Sequence, residues 1–309
     1  MDFKGVLVKI FTRNREVVLC AAGTAVALLG LGLVYKYNVR RPEKKFTRVG
    51  VVTQLLLHPM KSGKAVLVET AECLRMGLKY GELRDRHWLV ITEDGHMVTG
   101  RQQPRLVLVS LSCEGGQLCL NGPQMEELRV PLQQSNNAVV DCRVFSIDVQ
   151  GRDCGDDVSN WLTRYLESDK TVRLVHYEPH LKAQRPSEKE PLFPKDEKVA
   201  YPDAAPIMLM SEASVRDLNT RLNKDVSVFQ FRPSIVVNDC EAFTEDTWDH
   251  IEIGQVELKR VVGCGRCLFT TYCFVFWGLF LSLITGANLW VCGALGEIMK
   301  LGPTGVITP

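Results

Sequence analysis

The sequence predicts an α+β fold dominated by β-strands and led by a single membrane-spanning helix. Three observations carry this prediction. Short apolar stretches of alternating character recur between Val49 and Cys264, broken by turn residues. Helical periodicity is confined to brief segments, and strands do not alternate regularly with helices, which favours a barrel over a doubly wound sheet. Near the N-terminus stands Val17–Tyr35, an uncharged apolar run long enough to cross a bilayer as one helix.

The elements follow in order. Residues 1–16 are a basic segment with Lys4, Lys9, Arg13 and Arg15; residues 17–35 are the anchor; residues 36–48 are a basic tether with Arg40, Arg41, Lys44 and Lys45. An apolar run longer than a signal-peptide core, closed by charge, reads as a retained anchor. Its basic flanks give a slight preference for a cytosolic body. Strand signals then run through "GVVTQLLLHP", "KAVLVETAEC" and "RHWLVITEDGHMVTGR", where "EDGH" marks a hairpin. "RLVLVSLSCEGGQLCL" adds a strand pair around Gly115–Gly116. "DDVSNWLTRYLES" is a helix with Val158, Trp161, Leu162 and Tyr165 on one face. The charged, Pro-rich "EPHLKAQRPSEKEPLFPKDEK" is a surface loop or linker. "APIMLMSEASVRDLNTRL" reads as a strand entering a helix with Ser211 as N-cap or, one turn later, Ser214 ahead of Asp217, and "FRPSIVV" and "HIEIGQVELKRVVGC" are strands.

Bulk chemistry narrows the function. The 309 residues carry 37 Lys and Arg against 36 Asp and Glu, a balance that points to no nucleic-acid partner. Mean hydropathy is near zero because apolar residues concentrate at both ends of the chain. The 11 cysteines follow no framework spacing and the body holds no Asn-X-Ser/Thr sequon, so reduced thiols facing the cytosol are expected.

Candidate chemistry gathers at strand ends. Cys264-X-X-Cys267 supplies two soft ligands, but a structural zinc site needs four, and no histidine has matching spacing. A thioredoxin-type pair wants a helix N-terminus, whereas this pair follows a strand. Two buried structural cysteines, or one thiolate on a cofactor-borne metal beside Arg266, remain open on spacing. "HPMKSGKAV" places Lys61, Ser62, Gly63 and Lys64 in a turn after a strand, offering cations, a hydroxyl and amides to a phosphate. Arg84 and Arg86 in "LRDRHW" and Arg232 in "FRPS" extend this to an anion-binding rim.

These motifs, in the order "HPMKSGKAV", "DRHWLV", "YPDAAPIMLMSEASVRDLNTRL", "FRPSIVV" and "CGRCLFTT" behind an anchor, resemble the mitochondrial amidoxime-reducing component family. The resemblance covers roughly residues 17–271; "AYPDAAP" is closer to the second paralogue than to the first. It implies a MOSC N-terminal β-barrel domain at 49–180 and a MOSC β-barrel domain at 181–271, with a molybdenum cofactor (Mo-molybdopterin) between them. By the same likeness Cys267 ligates the metal and is the catalytic residue, whereas Cys264 is a non-ligating neighbour. Lys61, Ser62, Arg86, Asp203, Arg232, Gly265 and Arg266 hold the pterin and its phosphate. The implied reaction reduces N-hydroxylated compounds such as amidoximes, hydroxylamines and N-hydroxyguanidines. Its electrons come from NADH through NADH-cytochrome b5 reductase and cytochrome b5. The implied location is the mitochondrial outer membrane facing the cytosol, with the peroxisome as a second site.

Three departures stand out. Ala204 and Ala205 replace hydroxyl residues after the loop aspartate, and Ser234 replaces an asparagine. From Tyr272 the family's acidic turn gives way to an apolar tail, residues 272–309, uncharged from Cys267 to Gly296. The expectation is an atypical C-terminus on an incomplete MOSC domain. The alternative function is a catalytically inactive, truncated membrane isoform that holds no cofactor.

Overall fold

Alternating apolar residues become sheet wherever one face can be buried, and the body follows that rule nearly throughout. The computed structural model describes residues 46–185, 192–265, 270, 288–292, 297–300 and 306–308. The expected anchor at 17–35 and its flanks up to residue 45 lie outside the described residues. Among the described residues no helix is long and apolar enough to cross a membrane. Residues Thr47–Pro309 form one unit.

The strands are β1 (Gly50–Leu57), β2 (Val66–Val68), β3 (Thr70–Leu74), β4 (Gly77–Tyr80), β5 (Leu83–Arg84), β6 (Trp88–Thr92), β7 (Ser110–Glu114), β8 (Gln117–Asn121) and β9 (Leu128–Pro131). They continue with β10 (Val139–Val144) and β11 (Ile147–Asp153), helix α1 (Asp156–Tyr165), β12 (Val172–His176), β13 (Ile207–Ser211) and helix α2 (Glu212–Asn219). The last are β14 (Ile235–Asn238), β15 (His250–Ile253), β16 (Val256–Gly263), β17 (Asn288–Cys292), β18 (Glu297–Lys300) and β19 (Val306–Thr308).

The largest sheet has the order β14-β13-β17-β16-β15-β19-β1-β2. One edge of β1 pairs with β14, and the other is shared between β19 and β2. Three smaller sheets follow the orders β10-β11-β12-β6, β18-β3-β4-β5 and β7-β8-β9. The segments β17, β18 and β19 of the C-terminal tail therefore pair with strands of the body. The β7–β8 turn runs through Gly115 and Gly116, both with positive φ, as a two-residue hairpin of primed type requires.

Both helices match their sequence signals. Helix α1 buries Val158, Trp161, Leu162 and Tyr165 on one face, and Asp156 and Asp157 in its first turn oppose the helix dipole. Its two aromatic rings stack 5.4 Å apart, and Trp161 Nε1 donates to Glu126 O at 2.8 Å. Helix α2 starts at Ser211, whose hydroxyl accepts from Ser214 N at 3.2 Å. The main core joins β1, β6, α1, β13, β14 and β15 through Leu55, Trp88, Trp161, Leu209, Ile235 and Ile251.

A smaller core under β10, β11 and β12 carries Tyr201, whose hydroxyl donates to Gln150 O at 2.9 Å. Gly151 lies beneath it, and an added Cβ there would stand 2.7 Å from Val175 Cβ and closer still to the Tyr201 hydroxyl. Gly151→Ala is therefore expected to destabilise the fold by roughly 1–3 kcal/mol through overpacking. Equilibrium unfolding in urea measures this, and an unchanged midpoint would show that the sheet yields there.

Candidate functional site

A cleft of about 240 Å³ opens where several chain ends meet. It is lined by Lys61 and Ser62 after β1, Arg86 before β6, Arg101, the β10–β11 tip, residues 202–205, residues 230–232, Cys264, Gly265 and Thr270. Since one water occupies ~30 Å³, the space suits a ligand rather than a packing void.

Backbone hydrogen bonds tie two of these segments together. Arg86 N donates to His58 O at 2.7 Å, Trp88 N to Pro59 O at 3.1 Å, and Lys61 N to Trp88 O at 2.8 Å. Tyr201 N in turn donates to Arg86 O at 3.2 Å. Ser62, Arg86 and Arg232 have φ of 66°, 51° and 57°, a region that non-glycine residues seldom occupy. With Phe145, whose φ is 54°, four such residues line one cleft and mark backbone strain concentrated at a site.

The side chains interlock. Lys61, 6% exposed, donates from Nζ to Tyr201 O at 2.8 Å and to the Asp203 carboxylate. Arg86 donates from Nη1 to the Asp85 carboxylate and from Nη2 to Arg232 O at 3.1 Å. Arg232 donates from Nη1 to Gly63 O at 2.5 Å. Asp85 is buried behind Arg86 and also accepts from His58 N at 2.6 Å. Four cationic side chains, Lys61, Arg86, Arg101 and Arg232, thus line the cleft with Asp203 as the lining carboxylate and Asp85 behind it.

Proton affinities register burial first and the neighbouring charges second. Burial pushes the Lys61 ammonium down, against the attraction of Asp203, and Arg86 and Arg232 push it further. Burial, then the charge of Arg86, brings the Arg232 guanidinium down to about 9. Desolvation pushes the Asp203 carboxyl up, but Lys61 and then Arg86 and Arg101 hold it below the usual range. Burial raises the Asp85 carboxyl despite the Arg86 guanidinium beside it. Cations whose charged form is disfavoured by burial and by one another are stabilised by a neighbouring anion, such as one carrying phosphate oxygens.

The sequence-predicted Lys61, Ser62, Arg86, Asp203, Arg232 and Gly265 all meet in this cleft. Arg266 and Cys267 lie outside the described residues. Cys264, read from sequence as a neighbour, lines the cleft and is half-buried, with Sγ 3.7 Å from Gly265 O. Arg84 and Lys64, expected at the rim, are absent from the lining: Arg84 lies on β5, and exposed Lys64 turns its backbone N to Val109 O. Among the described residues no three His, Cys, Asp or Glu side chains gather as metal ligands. Sequence reasoning missed Asp85, Gln230, Arg101 and Phe145. Only the acidic residue inside "LRDRHW" carried a signal, since a carboxylate between two arginines pairs with one of them.

His87, beside Asp85, is buried, and its Nδ1 lies 2.9 Å from Asp85 O. Burial lowers its pKa from 6.5 to about 3, against the hydrogen bond to Asp85. Below pH 6.5 the unfolded chain binds a proton that the folded chain refuses. Stability from neutral His87 is therefore complete above pH 6.5 and is lost as pH falls towards 3. The stability of the wild type relative to His87→Gln should drop by up to about 1.4 kcal/mol per pH unit across that window. Urea unfolding at stepped pH measures it, and a difference independent of pH contradicts it.

Comparison with known proteins assigns two segments of the chain to families. Residues 49–169 match the family described as MOSC N-terminal beta barrel domain, and residues 196–275 match the MOSC domain. The cleft draws on both segments. Mitochondrial amidoxime-reducing component 1 of Danio rerio is 79% identical over 271 residues, covering 88% of this chain and 83% of that protein. Mitochondrial amidoxime reducing component 2 of Bos taurus is 51% identical over 229 residues, covering 74% and 68%. Component 1 of Homo sapiens is 47% identical over 249 residues, covering 80% and 73%. The 79% identical relative carries the number 1, against the second-paralogue leaning of "AYPDAAP". The chain belongs to the mitochondrial amidoxime-reducing component family and has its MOSC N-terminal and MOSC domains.

Proposed function

We propose that this chain is a molybdenum-cofactor reductase of N-hydroxylated compounds, and that the cationic cleft is where the cofactor sits. The observation that carries the reading is the surplus of enclosed positive charge held by Lys61, Arg86 and Arg232 beside Cys264 and Gly265. Family membership supports the oxidoreductase class. The donor set fits a pterin phosphate: Arg guanidinium forks, a Lys ammonium, the Ser62 hydroxyl and the Gly265 backbone. Arg266 and Cys267 complete it, with the Cys267 thiolate as the metal ligand.

When bound, the cofactor supplies the two-electron and oxygen-accepting chemistry. In the net reaction the substrate N–O bond breaks, two electrons and two protons enter, and water and the N–H compound leave. The chain's own part is to neutralise and orient. Lys61 and Arg232 give up part of their proton affinity to burial, and an anion in the cleft restores it. Asp203, exposed at the lip and paired with Lys61, fixes that ammonium without closing the cleft. Ala204 and Ala205 line the cleft without hydroxyls, so any polar contact there is through their backbone.

The same reading takes both MOSC-type units as β-barrels, residues 17–35 as the anchor, and the mitochondrial outer membrane as the location, with the body facing the cytosol. Electrons arrive from NADH through cytochrome b5 reductase and cytochrome b5. The relatives' names carry the mitochondrial assignment.

The test is metal and pterin analysis of the purified full chain, joined to benzamidoxime reduction with NADH, cytochrome b5 and its reductase. One molybdenum per chain and turnover are expected, with both lost in Cys267→Ala and retained in Cys264→Ala. Metal-free, inactive protein supports the cofactor-free isoform instead. Equal loss in both variants points to a two-cysteine site.

A further inference from the structure

Phe145 is an anomaly at this cleft. It is the first of the two residues, Phe145 and Ser146, that join β10 to β11 between the paired Val144 and Ile147. Its φ is 54°, the sign of backbone that glycine, asparagine or aspartate normally supplies at a hairpin tip. A bulky aromatic residue there is strained and is not compensated by full burial, since it stays 44% exposed. Its ring nonetheless lines the cleft. Lys61 Nζ lies over the ring at 5.5 Å from its centroid, and the Arg101 guanidinium at 5.9 Å, both within cation–π reach. The ring is therefore held over a charged cleft by two of the cations that line it.

We infer that Phe145 determines substrate choice by stacking on the planar, unsaturated part of an N-hydroxylated substrate as it enters the cleft. The inference rests on the reductase reading and adds a subsite to it. The cleft lining joins charged Lys61, Arg86, Arg101, Asp203 and Arg232 to apolar Ala204, Ala205 and Met208, and Phe145 and Phe231 are its two aromatic residues; Phe145 is the more exposed of them. A flat aromatic or amidoxime group finds an apolar face at Phe145 on which to stack. Substrates lacking such a plane, such as hydroxylamine, have nothing to stack.

The experiment uses the cofactor-loaded full chain, Phe145→Asn and Phe145→Trp. Asparagine tolerates the left-handed backbone, so the first variant is expected to fold. The first readout is the ratio of kcat/KM for benzamidoxime to kcat/KM for hydroxylamine; the second is the benzamidoxime Kd by calorimetry. In Phe145→Asn the ratio should fall about tenfold, through KM, and Kd should rise by a similar factor. Phe145→Trp should keep both near wild type. An unchanged ratio, a falling ratio with an unchanged Kd, or equal loss in the tryptophan variant would overturn the inference. If the wild type reduces neither compound, the reductase reading fails, while the Kd comparison still decides the role of the ring.

Discussion

Enclosed positive charge is the constraint from which the rest of the cleft follows. Lys61, Arg86 and Arg232 face one another with Asp85 and Asp203 as the carboxylates in hydrogen-bond contact. Withdrawing a charge from water costs several kcal/mol even after relaxation, unless hydrogen bonds and counter-charge replace the hydration. The protein replaces it by letting each cation donate to a backbone carbonyl of another segment at the cleft: Lys61 to Tyr201, Arg86 to Arg232, Arg232 to Gly63. Two of those carbonyls lie at left-handed turns of the chain, Arg232 itself and Gly63 next to Ser62. Strain and charge are two faces of one arrangement.

Sheet architecture is what makes the arrangement affordable. Strand β1 pairs along both edges, and the segment that leaves it is hydrogen-bonded to the segment entering β6. Ser234 N donates to Met208 O at 2.7 Å, and Leu56 N to Ser234 O at 2.9 Å, so the loop bearing Arg232 is stitched between β1 and β13. Ser234 is fully buried and acts here through its backbone and a hydroxyl 3.3 Å from Met208 N. Tyr201 joins the smaller core to the cleft, since its ring packs over Gly151 while its carbonyl holds Lys61.

Local signals were readable and long-range ones were not. The face of α1 with Trp161 and Tyr165, the Ser211 cap and the Gly115–Gly116 hairpin follow from period, hydroxyl and glycine, each decided within a few residues. Lys61 and Arg232 share a rim because β1 and β14 pair in one sheet, whereas Arg86, between β5 and β6 of two other sheets, reaches it through its backbone bond to His58 O, which a sequence does not display. Arg84 fails the same argument because it still lies on β5, paired with Lys79, whereas Arg86 stands past the strand at a left-handed residue (φ 51°), where the alternation that would put both arginines on one face is broken. Pairing of β17 and β19 with distant strands is non-local and leaves no periodic trace in a uniformly apolar tail. Phe145 escaped because an aromatic residue among alternating strand residues reads as core; its backbone angle alone reveals otherwise.

The most direct test of the cradle needs neither turnover nor cofactor. The full chain, expressed in a host that makes no molybdenum cofactor, is unfolded thermally with increasing inorganic pyrophosphate at constant ionic strength. A cationic cleft that wants an anion should be stabilised by about 2.7 kcal/mol at a hundredfold excess over Kd, with the midpoint rising accordingly. The rise should vanish when Lys61→Met and Arg232→Gln are combined. A midpoint that ignores pyrophosphate, or an equal rise in the double variant, would contradict the claim that these residues form an anion site.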